Sequence, residues 1–320
     1  DGVTAEEVKG ILLGMASGQE TLLGYFRRFI RNFEKRVGIN RTVGSLRAYS
    51  NAYSHIERFL QAQYKLSDIP FSALDRSFID KYDLYLRTER NLAPGTIINL
   101  TVQLKTIVGE AIADGVITAP PFMGYEPVRP KHVQKYLTAE ELHRIMTTPL
   151  HRQTLYHVRD MFLFSCFTGI PYGDMRLLTK DNLCLAEDGI WWIKSARQKT
   201  KIEFEIPLLD LPLQILKKYS GTAPGDKLLP MYCNSTLNLY LKEIARICHI
   251  DRPLVFHAGR HTYATEITLS HGVPLETVSR MLGHSQIETT QIYAKVTDEK
   301  IDTDTKALNR KISERFSVVI

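Results

Sequence analysis

The chain has 320 residues, enough for two domains of ordinary size, and its 44% hydrophobic and 24% charged residues exclude a disordered protein. Lysine and arginine number 41 against 35 aspartate and glutamate residues, so a net charge of +6 allows a polyanionic partner without requiring one. The four cysteines lack metal-ligand or disulfide spacing, and no apolar run approaches the roughly 18 residues of a membrane span, so we expect a cytoplasmic protein without membrane contacts.

The first part of the chain is predicted to be helical. Apolar residues recur at helical spacing over residues 45–66 and 74–86, and Pro94 suits the first turn of a further helix that Gly115 would end. The polar faces carry basic side chains, which suit contact with phosphates as a set and a solvated surface individually. They are Arg47, Arg58, Lys65, Arg87, Arg90 and Lys105. We therefore expect residues 18–118 to form a small helical domain.

Residues 119–135 have the composition of a linker. They contain four prolines together with Lys131, His132 and Lys135, and prolines at this density stop helices and stiffen a chain. The next helix has its start signal at Thr138 and Glu141, which have the spacing of a capping box. The pattern predicts a basic interdomain linker and a domain boundary near residue 132.

Residues 136–320 are predicted to form a mixed domain. A helix ends at Gly169, and two β-patterned runs, 190–193 and 202–206, are separated by a basic turn as in a hairpin. Further helical patterns follow, among them one over residues 274–282. The fold class is therefore mainly α with a small β-sheet, in two domains.

Three short segments near the end of the chain carry the residues that are able to take part in catalysis. Arg260 follows His257 by three residues, so both side chains could reach one ligand. Gly283 is predicted to end the preceding helix in a left-handed conformation that presents His284. Ser285 and Glu288 have the spacing of a second capping box, which would start a short helix bearing Tyr293.

These residues resemble, in order and spacing, the signature of the tyrosine recombinase (phage-type integrase) family. That signature consists of an arginine, a lysine, the motif HxxR, a second histidine or tryptophan, and a tyrosine near the C-terminus. The resemblance covers about residues 18–300. It implies a core-binding domain over 18–118 and a catalytic domain over 136–320, and it makes residues 1–17 the expected remnant of an upstream arm-binding module or linker.

The lysine of the signature is assigned to Lys199. In the family the last proline of a β-hairpin follows the catalytic lysine by eight residues, and Pro207 follows Lys199 by eight. Lys199 also lies in the predicted basic turn, where Lys201 and Lys194 are the alternatives.

The first arginine of the signature is absent. The family places it after Thr-Gly in the motif TGxR, but Thr168-Gly169-Ile170 is followed here by Pro171. Asp174 matches the acidic residue that the family has three positions later, so the alignment holds. We expect Arg159, in the preceding helix, to substitute for the missing arginine. Arg176 is only the second choice. It lies five residues after position 171, about 140° around the helix, so its stem points elsewhere.

The resemblance implies a site-specific recombinase, an integrase of a mobile genetic element, that forms a 3′-phosphotyrosyl bond through Tyr293 without metal, ATP or any other cofactor. Its expected partners are double-stranded DNA, a homotetramer on two DNA sites, and a host DNA-bending protein. The apolar end of the segment 298–320 is expected to dock on a neighbouring protomer or on its own domain. The alternatives are relaxation of DNA by a type IB topoisomerase and a DNA-binding protein impaired in catalysis by Pro171.

Overall fold

The computed structural model describes residues 19–128 and 135–293, together with helical residues at 5, 8–10, 305, 306, 308, 309 and 312. The described part is mostly helical with a small sheet, which confirms the predicted fold class. The chain divides into two compact units, Asp1–His132 and Val133–Ile320. Much of the predicted linker and most of the tail lie outside the described residues. Within the described residues, no helix combines the length and apolar character that a membrane span requires.

The first unit has a core of helices joined by aromatic side chains. Phe59 is fully buried, and its ring contacts those of Phe78, Tyr82 and Tyr85 at centroid distances of 5.1–5.4 Å. The helical prediction for 45–66 corresponds to α2 extended by a π-helical turn, Leu60–Tyr64. The helices are α1 (Leu22–Glu34), α2 (Val43–Phe59), α3 (Arg76–Thr88) and α4 (Pro94–Ala113).

The second unit is organised around one buried helix. This helix, α6 (Gln153–Thr168), is apolar on nearly all sides, and most of its side chains are buried, including that of Cys166. It ends at Gly169, which has a φ of +70°. The helices of this unit are α5 (Ala139–Thr147), α6 (Gln153–Thr168), α7 (Tyr172–Met175), α8 (Asp210–Lys218), α9 (Asn234–Ile247), α10 (Ala258–Thr262), α11 (Leu275–Leu282) and α12 (Glu288–Gln291).

The predicted hairpin is present and carries a further strand. β2 (Trp191–Ala196) pairs antiparallel with β3 (Glu203–Pro207), and β1 (Leu183–Leu185), which the sequence pattern did not reveal, pairs with the other edge of β2. Alternation along the strands places Ile193 and its partner Ile206 in the core. The polar turn between β2 and β3 is therefore held on a rigid two-stranded base.

One of the two predicted capping boxes forms. The Thr138 side chain accepts from the Glu141 backbone N–H, and the Glu141 carboxylate accepts from the Thr138 backbone N–H. The prediction of a second box at Ser285 and Glu288 is wrong. α12 begins at Glu288 after Ile287, which has helical dihedral angles and makes no side-chain cap.

Candidate active site

Arg260 lies at the centre of a cluster built on α10, which begins directly after His257. α10 packs closely on α6 because Gly259 faces it: a Cβ at this position would lie 3.0 Å from Ser165 Cβ and 3.3 Å from the Cys166 backbone nitrogen. This close approach buries the Arg260 side chain, which is only 3% exposed. We refer to Arg260, His284, Tyr293, His257 and His261 as the Arg260 cluster.

The Arg260 guanidinium joins the ends of two helices. Its Nη1 donates to the carbonyl of Gly169 at 3.0 Å, and its Nη2 donates to the carbonyl of Leu282 at 2.7 Å. Carbonyls at helix C-termini lack intrahelical partners and carry partial negative charge, so they suit a cation. Burial, followed by the charge of Arg197, lowers the Arg260 pKa to about 10, which leaves the guanidinium positive at neutral pH.

Two glycines allow these helix ends to meet. Gly169 and Gly283 end α6 and α11 with φ angles of +70° and +63°. A Cβ at Gly169 would lie 2.5 Å from Tyr263 Cδ1 and 2.8 Å from Leu282 Cδ2. The position therefore requires glycine both for its backbone conformation and for its lack of a side chain.

Gly169→Ala is expected to destabilise the second unit by about 2–4 kcal/mol, because it adds left-handed strain to overpacking. Both tryptophans of the chain, Trp191 and Trp192, lie in this unit, so urea denaturation followed by tryptophan fluorescence measures it. The matched control is Gly173→Ala, where a Cβ meets no atom within 4 Å and a change within about 0.5 kcal/mol is expected. Equal stability of the two variants would contradict the packing described here.

His284 orients Arg260. Its Nε2 lies 2.8 Å from Arg260 Nη2, and its Nδ1 lies 2.8 Å from Thr290 Oγ1. A guanidinium only donates, so Nε2 must accept and the proton of neutral His284 resides on Nδ1, which donates to Thr290. A hydrogen bond from His284 to a phosphate, as the family resemblance implies, would require that proton to move to Nε2.

Acid is expected to weaken the second unit through His284. Burial, then the charges of Arg260 and Arg197, lower the His284 pKa from its ordinary value of 6.5 to about 4. Neutral His284 therefore stabilises the fold fully above about pH 6.5, and this contribution is lost as the pH falls towards 4. The urea midpoint should fall less between these pH values in His284→Asn than in the wild type. A residual fall is expected from His261, and equal falls in both proteins would contradict the assignment.

Tyr293 is buried beside the other cluster members, with 8% of its surface exposed. Its ring lies parallel to that of His284 at a centroid distance of 6.4 Å and edge-on to that of His261 at 5.1 Å. Burial raises the Tyr293 pKa, while the charge and hydrogen bond of Arg260 and then the charge of Arg197 oppose the rise. The hydroxyl is thus held protonated at rest beside cations that favour its ionised form.

His257, which directly precedes α10, and His261, within α10, are adjacent and are both neutral at neutral pH. The rings of His257 and His261 are 4.8 Å apart, and that of His261 lies next to Tyr293. Desolvation lowers both pKa values, that of His261 to about 4, with contributions from the nearby positive charges. The sequence did not predict a role for His261 beside the tyrosine, although its spacing of four from His257 places both on one helix face.

A second arginine, which the sequence analysis missed, lies beside Arg260. Arg197 follows β2 directly, and its Nη1 donates to the carbonyl of Leu282 at 2.9 Å, the same oxygen that Arg260 contacts. Its Nε lies 2.6 Å from Oδ2 of Asp174, which is 6% exposed. The signal available in the sequence was Asp174 itself, a buried carboxylate that needs a cation once Pro171 has replaced the usual one.

Lys199 lies as predicted in the turn between β2 and β3, and its side chain is exposed. Within the described residues it makes no contact with the Arg260 cluster. The neighbouring alternatives are also exposed: Lys194 pairs with Glu205 across the hairpin at 3.5 Å, and Lys201 has a left-handed backbone.

The structure corrects the assignment of Arg159. Its Nη1 lies 3.3 Å from the carbonyl of Thr148 at the end of α5, and its guanidinium stacks over the ring of Tyr156 at 4.7 Å. Its nearest carboxylate, Asp160, is also bound by Lys218. Arg159 thus satisfies a helix end instead of reaching the cluster. Arg176, the second choice, ends α7 with an exposed side chain.

Comparison with known proteins assigns the chain to a class of enzymes, the tyrosine site-specific recombinases. The sequence profile of the phage integrase family matches residues 135–300, and that of the phage integrase SAM-like domain matches residues 21–127. The chain therefore belongs to the phage integrase family, the tyrosine recombinases.

Individual relatives agree with this assignment. The chain is 25% identical over 273 residues to tyrosine recombinase XerD of Listeria monocytogenes serovar 1/2a, which covers 80% of this chain and 89% of the relative. Its fold is similar to the Tn1549 transposon integrase in complex with transposon right end DNA (TM-score 0.69, 18% identity, 90% and 99% of the two chains). It is also similar to a lambda integrase tetramer bound to a Holliday junction (TM-score 0.69, 17% identity, 88% and 80%). At these identities the two structures show the shared fold.

Proposed function

We propose that this chain is a site-specific DNA recombinase that cuts and rejoins DNA through a 3′-phosphotyrosyl intermediate at Tyr293. The observation that carries the proposal is the burial of Tyr293 against Arg260, whose hydrogen bond and charge oppose the rise in the tyrosine pKa. A tyrosine with an ordinary pKa near 10 is a weak nucleophile at neutral pH, so it needs such a cationic site.

Arg260 is assigned to the scissile phosphate. In-line attack by the Tyr293 oxygen on phosphorus places developing negative charge on the non-bridging oxygens, and a fixed guanidinium stabilises that charge. Arg260 is fixed by two carbonyls and by His284, so it does not need to reorganise when the charge develops. A guanidinium has five N–H donors, so two remain for phosphate oxygens after these three contacts, whereas a lysine would have none left.

The proton transfers are assigned to His257 and Lys199. The lowered pKa of His257 keeps it neutral at pH 7, so it is able to accept the proton of the Tyr293 hydroxyl as the phosphorus–oxygen bond forms. The bond from phosphorus to the 5′ oxygen breaks, and Lys199, on the hairpin turn, donates a proton to that leaving oxygen. The tyrosyl ester conserves the bond energy, so a free 5′-hydroxyl reverses the step without metal or ATP.

The DNA-binding role extends to the first unit. Five of the six basic residues predicted to lie along phosphates are exposed: Arg47, Arg58, Lys65, Arg90 and Lys105. Arg87 is paired with Asp83, and Lys105 donates to the carbonyl of Tyr125. We assign this unit to core-site binding and the assembly to a tetramer on two DNA duplexes, as in the family; the host DNA-bending protein stays a prediction.

The test is covalent capture on DNA. The wild-type protein first selects a duplex from random-sequence DNA by binding, and this selected duplex is then prepared with single nicks at successive positions, so that cleavage near a nick releases a fragment. Incubation without Mg²⁺ or ATP should yield a denaturant-resistant protein–DNA adduct, and a second duplex with a free 5′-hydroxyl should become joined. Binding without any adduct would support the DNA-binding alternative, and plasmid relaxation without joining would support the topoisomerase.

A further inference from the structure

The site lacks the first arginine of the family signature. Pro171 occupies that position, at the start of α7, and a proline side chain offers no charge to a phosphate. Pro171, Arg197 and Arg260 line the same narrow cleft, which Gly169 and Leu282 complete. One of the two arginines that line this cleft with Pro171 therefore comes from the β2–β3 hairpin.

Arg197 and Arg260 lie side by side and share one acceptor. Nη1 of Arg197 and Nη2 of Arg260 donate to the one carbonyl of Leu282. The side chain of Arg197 is 15% exposed and Arg260 is 3% exposed, so neither charge is well screened by water. Two such charges repel, and after burial this repulsion is the next largest cause of the lowered pKa of Arg260. An anion bound by both guanidinium groups would remove this cost.

The backbone and Asp174 fix Arg197 in this place. Asp174 accepts the Gln198 backbone N–H at 2.9 Å and pairs with Arg197 Nε at 2.6 Å. Gly283 leaves room for the stem, because a Cβ there would lie 2.9 Å from Arg197 Cγ. Within the part of the chain that the structure describes, Nη2 of Arg197 has no protein acceptor. Arg197 is thus held by an ion pair at Nε and a hydrogen bond at Nη1, and it keeps Nη2 for a ligand.

We propose that Arg197 is the second phosphate-binding arginine of this enzyme and replaces, from the hairpin, the arginine that Pro171 displaced. This proposal rests on the proposed recombinase function. Arg260 and Arg197 would each bind a non-bridging oxygen of the scissile phosphate while Tyr293 attacks. Arg197 also contributes to the positive charge around the tyrosine.

The first test compares rates of adduct formation on the selected duplex. Arg197→Ala should slow adduct formation about 10²–10³-fold, the usual effect of removing one preorganised donor from a transition-state site. The double variant Pro171→Arg/Arg197→Ala returns an arginine to the family position. It should form the adduct at least about tenfold faster than Arg197→Ala. Arg246→Ala, an exposed arginine on α9, is the control and should stay within about twofold of the wild type.

A second test separates phosphate binding from a purely structural role. The same duplex is prepared with a neutral methylphosphonate at the scissile position, which removes one charged oxygen. The defect of Arg197→Ala relative to the wild type should shrink at least tenfold on this substrate, whereas a misfolded or misplaced site would be equally slow on both. Arg197→Lys, which keeps the charge beside Asp174, replaces the alanine variant if the latter melts well below the wild type.

The possible results distinguish a failure of the Arg197 proposal from a failure of the proposed recombinase function. No adduct with the wild type would overturn the recombinase function itself. An adduct with the wild type and with Arg197→Ala at rates within about threefold would overturn only the role of Arg197. A defect that is the same on phosphate and methylphosphonate would also overturn it, since Arg197 would then only position the hairpin.

Discussion

Tyr293→Phe is expected to abolish the protein–DNA adduct while the protein still folds and binds DNA. Phenylalanine keeps the ring that lies against His284 and His261 and removes only the oxygen that would attack phosphorus. Loss of a nucleophile lowers the rate by more than about 10⁴-fold, so no adduct should be detected on the selected duplex. Loss of one hydroxyl hydrogen bond should change the free energy of unfolding by about 1 kcal/mol.

The matched control for this variant is Tyr263→Phe. Tyr263 is also buried in the second unit, and its hydroxyl has a sulfur, Met281 Sδ, as its partner at 3.9 Å. The control should form adduct within about twofold of the wild type. If Tyr293→Phe formed adduct at a comparable rate, another side chain would be the nucleophile and the proposed mechanism would fail.

Arg260→Lys is expected to lower both the rate of cleavage and the stability of the fold. The three N–H donors of an ammonium are too few for the carbonyls of Gly169 and Leu282, His284 and a phosphate together, so adduct formation should slow by about 10²–10³-fold. A buried carbonyl left without its donor costs about 1–3 kcal/mol, which urea denaturation of the second unit would measure.

Arg252→Lys provides the comparison that separates these two effects. Arg252 is likewise held by a fork of contacts in the second unit, to both oxygens of Glu141 and to the carbonyl of Tyr136. It lies outside the Arg260 cluster, so its replacement should lower stability and change the cleavage rate less than about threefold. If the two variants lost stability equally and cleaved equally well, Arg260 would be a structural residue only.

Local chemistry made much of the fold predictable. Hydrophobic spacing indicated α2, α3 and α4, Gly169 and Gly283 marked helix ends by their need for a positive φ, and alternation indicated the hairpin. The strand β1 is not predictable from the sequence pattern, because three residues are too few to show alternation. The second capping box does not form, because spacing alone does not fix the backbone conformation at Ser285.

The missing arginine shows where sequence spacing stops being informative. Arg159 and Arg176 lie near Pro171 along the chain, but Arg197 comes from a hairpin whose position depends on long-range packing. Only the structure shows that the turn after β2 approaches the ends of α6 and α11. The buried Asp174, which needs a cation, was the one local clue.

The most direct test of the central claim is to locate the bond between protein and DNA. The adduct formed on the selected duplex would be digested with nuclease and protease, and the modified peptide sequenced by mass spectrometry. We expect a nucleotide joined through its 3′-phosphate to Tyr293. A nucleotide on any other residue, or one joined through a 5′-phosphate, would contradict it.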